Sequence, residues 1–290
     1  MGIRHSTRWA AIAAASILAL SACSSSDDGG DDSAASAAPT FAAGTTMARL
    51  AEAGTVKVGT KFDQPLFGLV GPDGKPVGFD VEIAKMIAEE LGIPEDKIEW
   101  TETVSANREP FIQDGRVDFV VATYTINDER KKVVDFAGPY YLAGQSLMVR
   151  KDDTSINGPD DLKGKTVCSV DGSTPAGNIE ENFPDTKLVT FAAYTDCLDP
   201  LRNKQVDAVT TDNVILGGYV AESPDDFKMA GEPFTEEPYG IGLKLGDTEF
   251  RGFINDVLEE SFKDGRWEAA WTETAGTVLP TPTPPTVNRY

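Results

Sequence analysis

The chain has 290 residues, enough for two domains at roughly 100 to 200 residues each, and 40% apolar with 25% charged residues excludes a disordered, collagenous or multi-spanning membrane chain. Lys and Arg number 26 against 47 Asp and Glu, a net charge of −21. Such a surface repels phosphate backbones and anionic lipid, which sets it against nucleic-acid binding.

Arg4 and Arg8 precede an apolar run from Trp9 to Leu20 that ends in small residues, the pattern of a secretory signal peptide. The run is shorter than the about 20 apolar residues of a spanning helix. Leu20-Ser21-Ala22-Cys23 resembles the lipobox of bacterial lipoproteins, whose Cys becomes the lipidated first residue of the mature chain; a chance Cys beside an ordinary signal-peptidase site is the plainer alternative. Removal of residues 1–22 takes the only histidine, His5, so the mature chain offers no imidazole base and no His-based triad. No metal and no cofactor is expected. Residues 23–44 are Ser, Asp, Ala and Gly with little apolar bulk, and read as a flexible acidic tether that holds the body at the extracytoplasmic face when Cys23 carries more than one acyl chain.

Beyond the tether, strand and helix signals alternate, as in an α/β protein. Thr55 to Thr60 is a β-branched strand, Gly71-Pro72-Asp73-Gly74 is turn chemistry, and Asp80 to Leu91 places Ile83, Met86, Ile87 and Leu91 at helical spacing. A second helix is predicted from Ser105 to Asp114, and Val117 to Thr123 is a near-continuous apolar strand. Ligands of open α/β sheets bind outside the carboxyl ends of such strands, which draws attention to Tyr124–Arg130. The logic repeats with strand Lys165–Val170, loop Asp171–Ala176, a helix, strand Lys187–Phe191, and strand Val206–Thr211 leading into Asp212. Gly158–Thr166 superficially suggests a phosphate loop, but it has one residue too many and precedes a strand. Residues 277–290, rich in proline, read as an extended and dispensable tail. With Cys23 assigned to a lipid, Cys168 and Cys197 remain as an even pair in an exported chain, which suggests a disulfide. Two buried free thiols are the alternative, because sequence does not fix their separation.

Gly78-Phe79-Asp80-Val81-Glu82-Ile83-Ala84, Asn107-Arg108, Gly115-Arg116-Val117-Asp118-Phe119, Thr125 to Arg130, Asp135 to Tyr141, Asp161 to Lys165, Gly172-Ser173-Thr174 and Val206-Asp207-Ala208 occur in an order that resembles family 3 of the bacterial extracellular solute-binding proteins, the polar amino-acid binders. The resemblance spans about residues 55–275, and within the family the chain looks most like actinobacterial glutamate/glutamine or aspartate binders. It implies the two-lobed periplasmic-binding-protein (clamshell) fold, each lobe a mostly parallel sheet flanked by helices, with two hinge strands. Residues 45–142 and 240–276 would form a discontinuous first lobe and 143–239 the second, with crossings near Tyr141–Gln145 and Tyr239–Gly242. The implied function is capture of an acidic amino acid by hinge closure and delivery to a membrane ABC permease with its ATPase, by a lipid-anchored monomer that is not an enzyme.

The site follows partly from chemistry and partly from the resemblance. An α-carboxylate is best held by a planar bidentate donor. Arg130 matches the family arginine for it, with Thr123 and Thr125 matching hydroxyl and main-chain contacts; a solvated Arg in the charged run Asp128–Lys132 is the alternative. Asp212 matches the acid that takes the α-ammonium, unless it is a helix N-cap. Gly172 and Thr174 match the loop that closes over the carboxylate, unless they form a plain turn. Arg108 and Ser105 stand where relatives binding acidic amino acids recognise the distal carboxylate, and Lys61 matches a basic residue serving there. Two cations aimed at a neutral amide would leave a charge poorly paired in a desolvated cleft, so glutamate or aspartate is preferred to glutamine or asparagine. Against this, Arg108 could pair with a neighbouring acid and Lys61 could be solvated. Phe79 matches an aromatic platform over the ligand side chain, or is a core residue, and Phe62 and Phe67 compete as the second aromatic. An extracellular sensor and a dehydratase-type enzyme are alternative uses of the same fold; the amino-acid clamp of Arg130 and Asp212 argues against the enzyme.

Overall fold

A computed structural model describes residues 39–290. The expected signal peptide, Cys23 and most of the expected tether lie outside the described residues. The strands are β1 (Val56–Thr60), β2 (Asp63–Gln64), β3 (Gly68–Val70), β4 (Pro76–Val77), β5 (Ile98–Glu102), β6 (Phe119–Val120), β7 (Asp135–Ala143), β8 (Gln145–Arg150), β9 (Thr166–Val170), β10 (Lys187–Phe191), β11 (Ala208–Asp212), β12 (Phe227–Ala230) and β13 (Glu237–Leu243). The helices are α1 (Thr46–Ala53), α2 (Phe79–Glu90), α3 (Arg108–Gln113), α4 (Thr174–Asn182), α5 (Leu198–Arg202), α6 (Asn213–Glu222), α7 (Thr248–Asp264) and α8 (Arg266–Glu273).

Two five-stranded sheets dominate, in the orders β5-β1-β6-β13-β7 and β10-β9-β11-β8-β12. Around β1 and around β9 the pairing is parallel, the α/β pattern read from the sequence. Each sheet then adds two antiparallel pairings, so both are mixed. The antiparallel strands are those that pass between the sheets: β7 leads through Gly144 into β8, and β12 returns through residues 231–236 into β13. Gly144 is needed because the return passes it closely; a Cβ there would lie 2.6 Å from the Thr235 carbonyl oxygen. The return enters the first sheet at Glu237, opposite Ala143, so Tyr239 and Gly242 already pair there with Tyr141 and Phe136. The two passages are joined by hydrogen bonds from the Gln145 amide to Thr235 Oγ1 (3.0 Å) and from the Phe234 amide to the Gln145 carbonyl (2.9 Å).

Local departures have local causes. The strand expected over Val117–Thr123 is regular only at Phe119–Val120, and Thr123 turns the chain out of it with φ +44°, a region costly for a β-branched residue. Asp80 offsets that cost: its Oδ2 accepts the Thr123 amide at 2.7 Å, while Gln64 Oε1 accepts the Thr123 hydroxyl at 2.9 Å. The helix expected from Ser105 begins as a tight 3₁₀ turn, Ser105–Asn107, before α3. The expected loop over Asp171–Ala176 is shorter, because Ser173 caps α4 by accepting the Ala176 amide at 3.1 Å.

The core beneath the first sheet is largely aromatic. Phe67, Phe79, Tyr140, Tyr239, Trp267 and Trp271 are all at most 1% exposed and meet edge to face or stacked, an arrangement that adds to simple burial. Both chain ends dock on this body. Phe41, placed in the expected tether, packs edge-on against Phe253 at 5.6 Å. The proline-rich end is extended but not free: the Asn288 amide bonds the Gly138 carbonyl at 2.8 Å, Tyr290 Oη accepts the Phe136 amide at 2.9 Å, and Arg289 pairs with Asp256 and Glu259. Leu279 reaches α6 beside Gly217. The tail is therefore an integral strap, because its few apolar side chains have grooves to fill. Among the described residues no helix is long and apolar enough to cross a membrane.

Candidate functional site

Between the two sheets lies a small cavity of about 10 Å³, walled by Ser105, Arg108, Thr123 and Thr125 from the first side and by Ser173, Thr174, Pro175, Tyr194, Thr211, Asp212 and Ile215 from the second. The walls touch. Arg108 and Arg130 both donate to the Gly172 carbonyl, at 3.4 and 3.0 Å, and the Thr174 hydroxyl lies 3.3 Å from that of Thr125. Gly172 is at φ +74°, and a Cβ there would lie 2.8 Å from Ala106 Cα across the gap, so only glycine allows this approach.

The first wall carries cations. Arg108, at the start of α3, sends Nε to the Ser105 carbonyl (3.2 Å) and Nη1 to the carbonyls of Ala122 and Thr123 (3.2 and 3.3 Å), with its guanidinium 4.3 Å above the Tyr124 ring. Lys61 follows β1 directly; it is buried, and its Nζ donates to Ser105 Oγ at 2.9 Å. Neither side chain meets a carboxylate among the described residues, so the expected alternatives of a paired Arg108 and a solvated Lys61 do not describe this geometry. Burial first, and then the neighbouring Arg108, pull the Lys61 ammonium down to about 7. Arg130 differs. It is buried, donates to the Thr125 carbonyl at 2.7 Å, and is paired with Glu109 at 3.2 Å. Burial and Arg108 lower it to about 10, leaving it charged at neutral pH.

The opposite wall carries acid. Asp212 ends β11 and is buried; its side chain does not cap α6. Its Oδ2 accepts the Tyr239 hydroxyl at 2.6 Å, while Oδ1 is buried with no hydrogen-bond partner. Burial, followed by the nearby Glu237, raises the Asp212 carboxyl to about 7. Glu237 accepts the hydroxyls of Thr174 (2.7 Å) and Thr235 (2.9 Å), which links the hinge to the loop at Gly172. The Cys168–Cys197 disulfide, Cα to Cα 5.8 Å, ties β9 to the 3₁₀ turn Tyr194–Cys197 and so fixes Tyr194 on this wall. Among the described residues no cluster of His, Cys, Asp and Glu is able to hold a metal.

Of the residues singled out from sequence, Ser105, Arg108, Thr123, Thr125, Thr174 and Asp212 line the space, while Lys61, Arg130 and Gly172 bond to the groups around it. Phe79 is corrected: it is fully buried against Trp267 and Trp271, 5.6 and 5.1 Å between ring centres, and belongs to the core. Phe67 lies in the same core, and Phe62 is half-buried and outside the lining. Sequence reasoning missed Ser173, Pro175, Tyr194, Thr211 and Ile215 as lining residues. Ser173, between Gly172 and Thr174, and Thr211, adjacent to Asp212 at a strand's carboxyl end, carried a usable signal.

The chain can be set beside known proteins. It is 44% identical over 235 residues to the glutamate-binding protein GluB of Corynebacterium glutamicum, covering 78% of this chain and 80% of that protein. It is 41% identical over 225 residues to the ABC transporter glutamine-binding protein GlnH of Bacillus subtilis, covering 77% and 82%. Its fold is similar to the crystal structure of the solute receptors for L-cysteine of Neisseria gonorrhoeae, with a TM-score of 0.77, 32% identity, and coverage of 81% of this chain and 95% of that one. The model of the family described as bacterial extracellular solute-binding proteins, family 3, matches residues 56–273. With the two sheets, the paired crossings and the space between them, this match places the chain in that family, whose members here are solute binders and not enzymes.

Proposed function

We propose that the protein is the substrate-binding component of an ABC transporter, that it captures glutamate or aspartate between its two lobes, and that it releases the amino acid to a membrane permease. The observation that carries this reading is the polarity of the space. One wall presents two buried cations without carboxylate partners, and the other a buried carboxylate with one oxygen unpaired. A zwitterion with a second negative charge meets both: its ammonium pairs with Asp212, its α-carboxylate with Arg130 and the Thr125 region, and its side-chain carboxylate with Arg108, Lys61 and Ser105. A neutral amide would leave one buried cation without a counter-charge, which is costly at low dielectric. The names of relatives that bind glutamate and glutamine support the ligand class. The overall acidity of the chain does not oppose an anionic ligand, because charges beyond about 8 Å are screened at physiological salt while the cleft cations act at contact distance. Cys23 as the lipid anchor, a monomeric body and attachment to the extracytoplasmic face complete the proposal. Isothermal titration of the purified protein, freed of carried-over ligand, against glutamate, aspartate, glutamine, asparagine and arginine is the test. Binding of the two acids at micromolar or tighter affinity is expected, and tighter binding of glutamine or arginine would overturn the acidic assignment.

A further inference from the structure

The loop between β1 and β3 touches more than the cleft wall. Lys61 faces the site, but two residues later Asp63 reaches the other lobe: its Oδ2 accepts the Tyr194 backbone amide at 3.0 Å, and its backbone carbonyl accepts the Tyr219 hydroxyl at 2.9 Å, with Oδ2 a further 3.4 Å from that hydroxyl. Tyr194 lines the ligand space and Tyr219 lies on α6; both side chains are at most 3% exposed. Next to them Pro65 presses on Gly218 of α6 so closely that a Cβ at Gly218 would sit 2.9 Å from the Pro65 carbonyl oxygen. Among the described residues no other carboxylate of the first lobe accepts a backbone amide of the second.

We propose that Asp63 is the latch of the closed form, a positioning residue that holds the second lobe on the first without touching the amino acid. Opening must release both donors, the Tyr194 amide and the Tyr219 hydroxyl, in one movement, because both are fixed to the second lobe: Tyr194 through the Cys168–Cys197 bond beside it and Tyr219 through α6. The Asp63 contacts join the two lobes, so separating the lobes breaks them, and their loss acts on escape of the ligand more than on entry. A hydrogen bond to a charged group is among the stronger ones in proteins. The latch also couples selection to closure, because the loop that carries Lys61 to the ligand is the loop that carries Asp63 to Tyr194.

The inference rests on the proposed amino-acid binding, and the experiment separates the two. Release of labelled glutamate from the purified protein is timed after dilution into excess unlabelled glutamate, for the wild type, Asp63→Ala and Tyr219→Phe. Asp63→Ala is expected to raise the release rate about tenfold and Tyr219→Phe a few-fold; Tyr219→Phe, which leaves the Asp63 charge beside Lys61 in place, is expected to keep the ratio of glutamate to glutamine affinity. Unchanged release in both variants, or a change in that ratio in Tyr219→Phe at unchanged release, would overturn the latch. Tyr219→Phe keeps the buried ring, so it decides the matter if Asp63→Ala fails to fold. If the wild type binds none of the amino acids, the functional reading falls. Hydrogen exchange at the Tyr194 amide still decides the latch, faster in Asp63→Ala if it exists and equal in both proteins if it does not.

Discussion

The two walls of the cleft are built from similar βα elements and yet carry opposite charge. On the first, Lys61, Arg108 and Arg130 converge from the end of β1, the start of α3 and the turn after β6. On the second, Asp212 stands at the end of β11, with Glu237 behind it on the hinge strand. The first wall buries its cations against carbonyl oxygens and an aromatic face, the second its acids against hydroxyls. Apart from Glu109, which pairs with Arg130, such partners satisfy hydrogen bonds without cancelling charge, so each wall keeps a net sign in a space shielded from water. The difference teaches that polarity across a cleft requires only that opposite charges be kept on opposite lobes until a ligand joins them.

That polarity can be broken one wall at a time. Asp212→Asn removes the acceptor that the first wall cannot replace. It should weaken every amino acid by about 100-fold, glutamate and glutamine alike, and titration of both ligands would show a shared loss. Arg108→Ala acts on the opposite wall and should cost glutamate about 30-fold but glutamine only a few-fold; Lys61→Met should do the same more weakly. Equal losses for both ligands would assign these cations to the common part of the amino acid and not to its side chain.

The walls should also titrate in opposite senses. Lys61, facing Arg108, Asp63, Arg130 and Asp80, loses its proton as pH rises through about 7, and with it the attraction for a side-chain carboxylate. Asp212, facing Glu237, Tyr239, Arg108 and Arg130, gains a proton as pH falls through about 7 and then no longer accepts an ammonium. Asp80, raised to about 7 by burial, adds to the acid side through its bond to the Thr123 amide. Affinity for glutamate should therefore peak near neutral pH and fall by up to about tenfold per pH unit on each side, while glutamine keeps only the acid-side fall. Titrations at several pH values would reveal the two shapes. The smallest effect is expected away from both walls: removal of residues 278–290 should lower the melting temperature by about 5 °C in a thermal scan, through loss of the contacts of Leu279, Arg289 and Tyr290, and leave the ligand preference unchanged.

The α/β alternation, the helix α2 and the bounds of β10 were legible in the chain, because hydrophobic period and turn chemistry act over a few neighbouring residues. Arg108, Asp212, Thr125 and Thr174, which line the space, are singled out mainly through the resemblance to family motifs, with attention to the carboxyl ends of strands as a general guide. Tertiary packing decided the rest. Whether Phe79 faces ligand or core depends on where α8 lays Trp267 and Trp271, far along the chain. Whether the proline-rich end is free depends on Phe136 and Gly138 leaving a backbone amide and a carbonyl for it to meet. Tyr194 and Ile215 join the site only because the disulfide and the turn into α6 bring their segments to the cleft. Sequence by itself determined which elements form and which charges the chain can offer, because those are local and compositional. Only the tertiary structure decided which charges stay unpaired and which lobe holds them, because desolvation and partnership depend on groups that the chain order keeps apart.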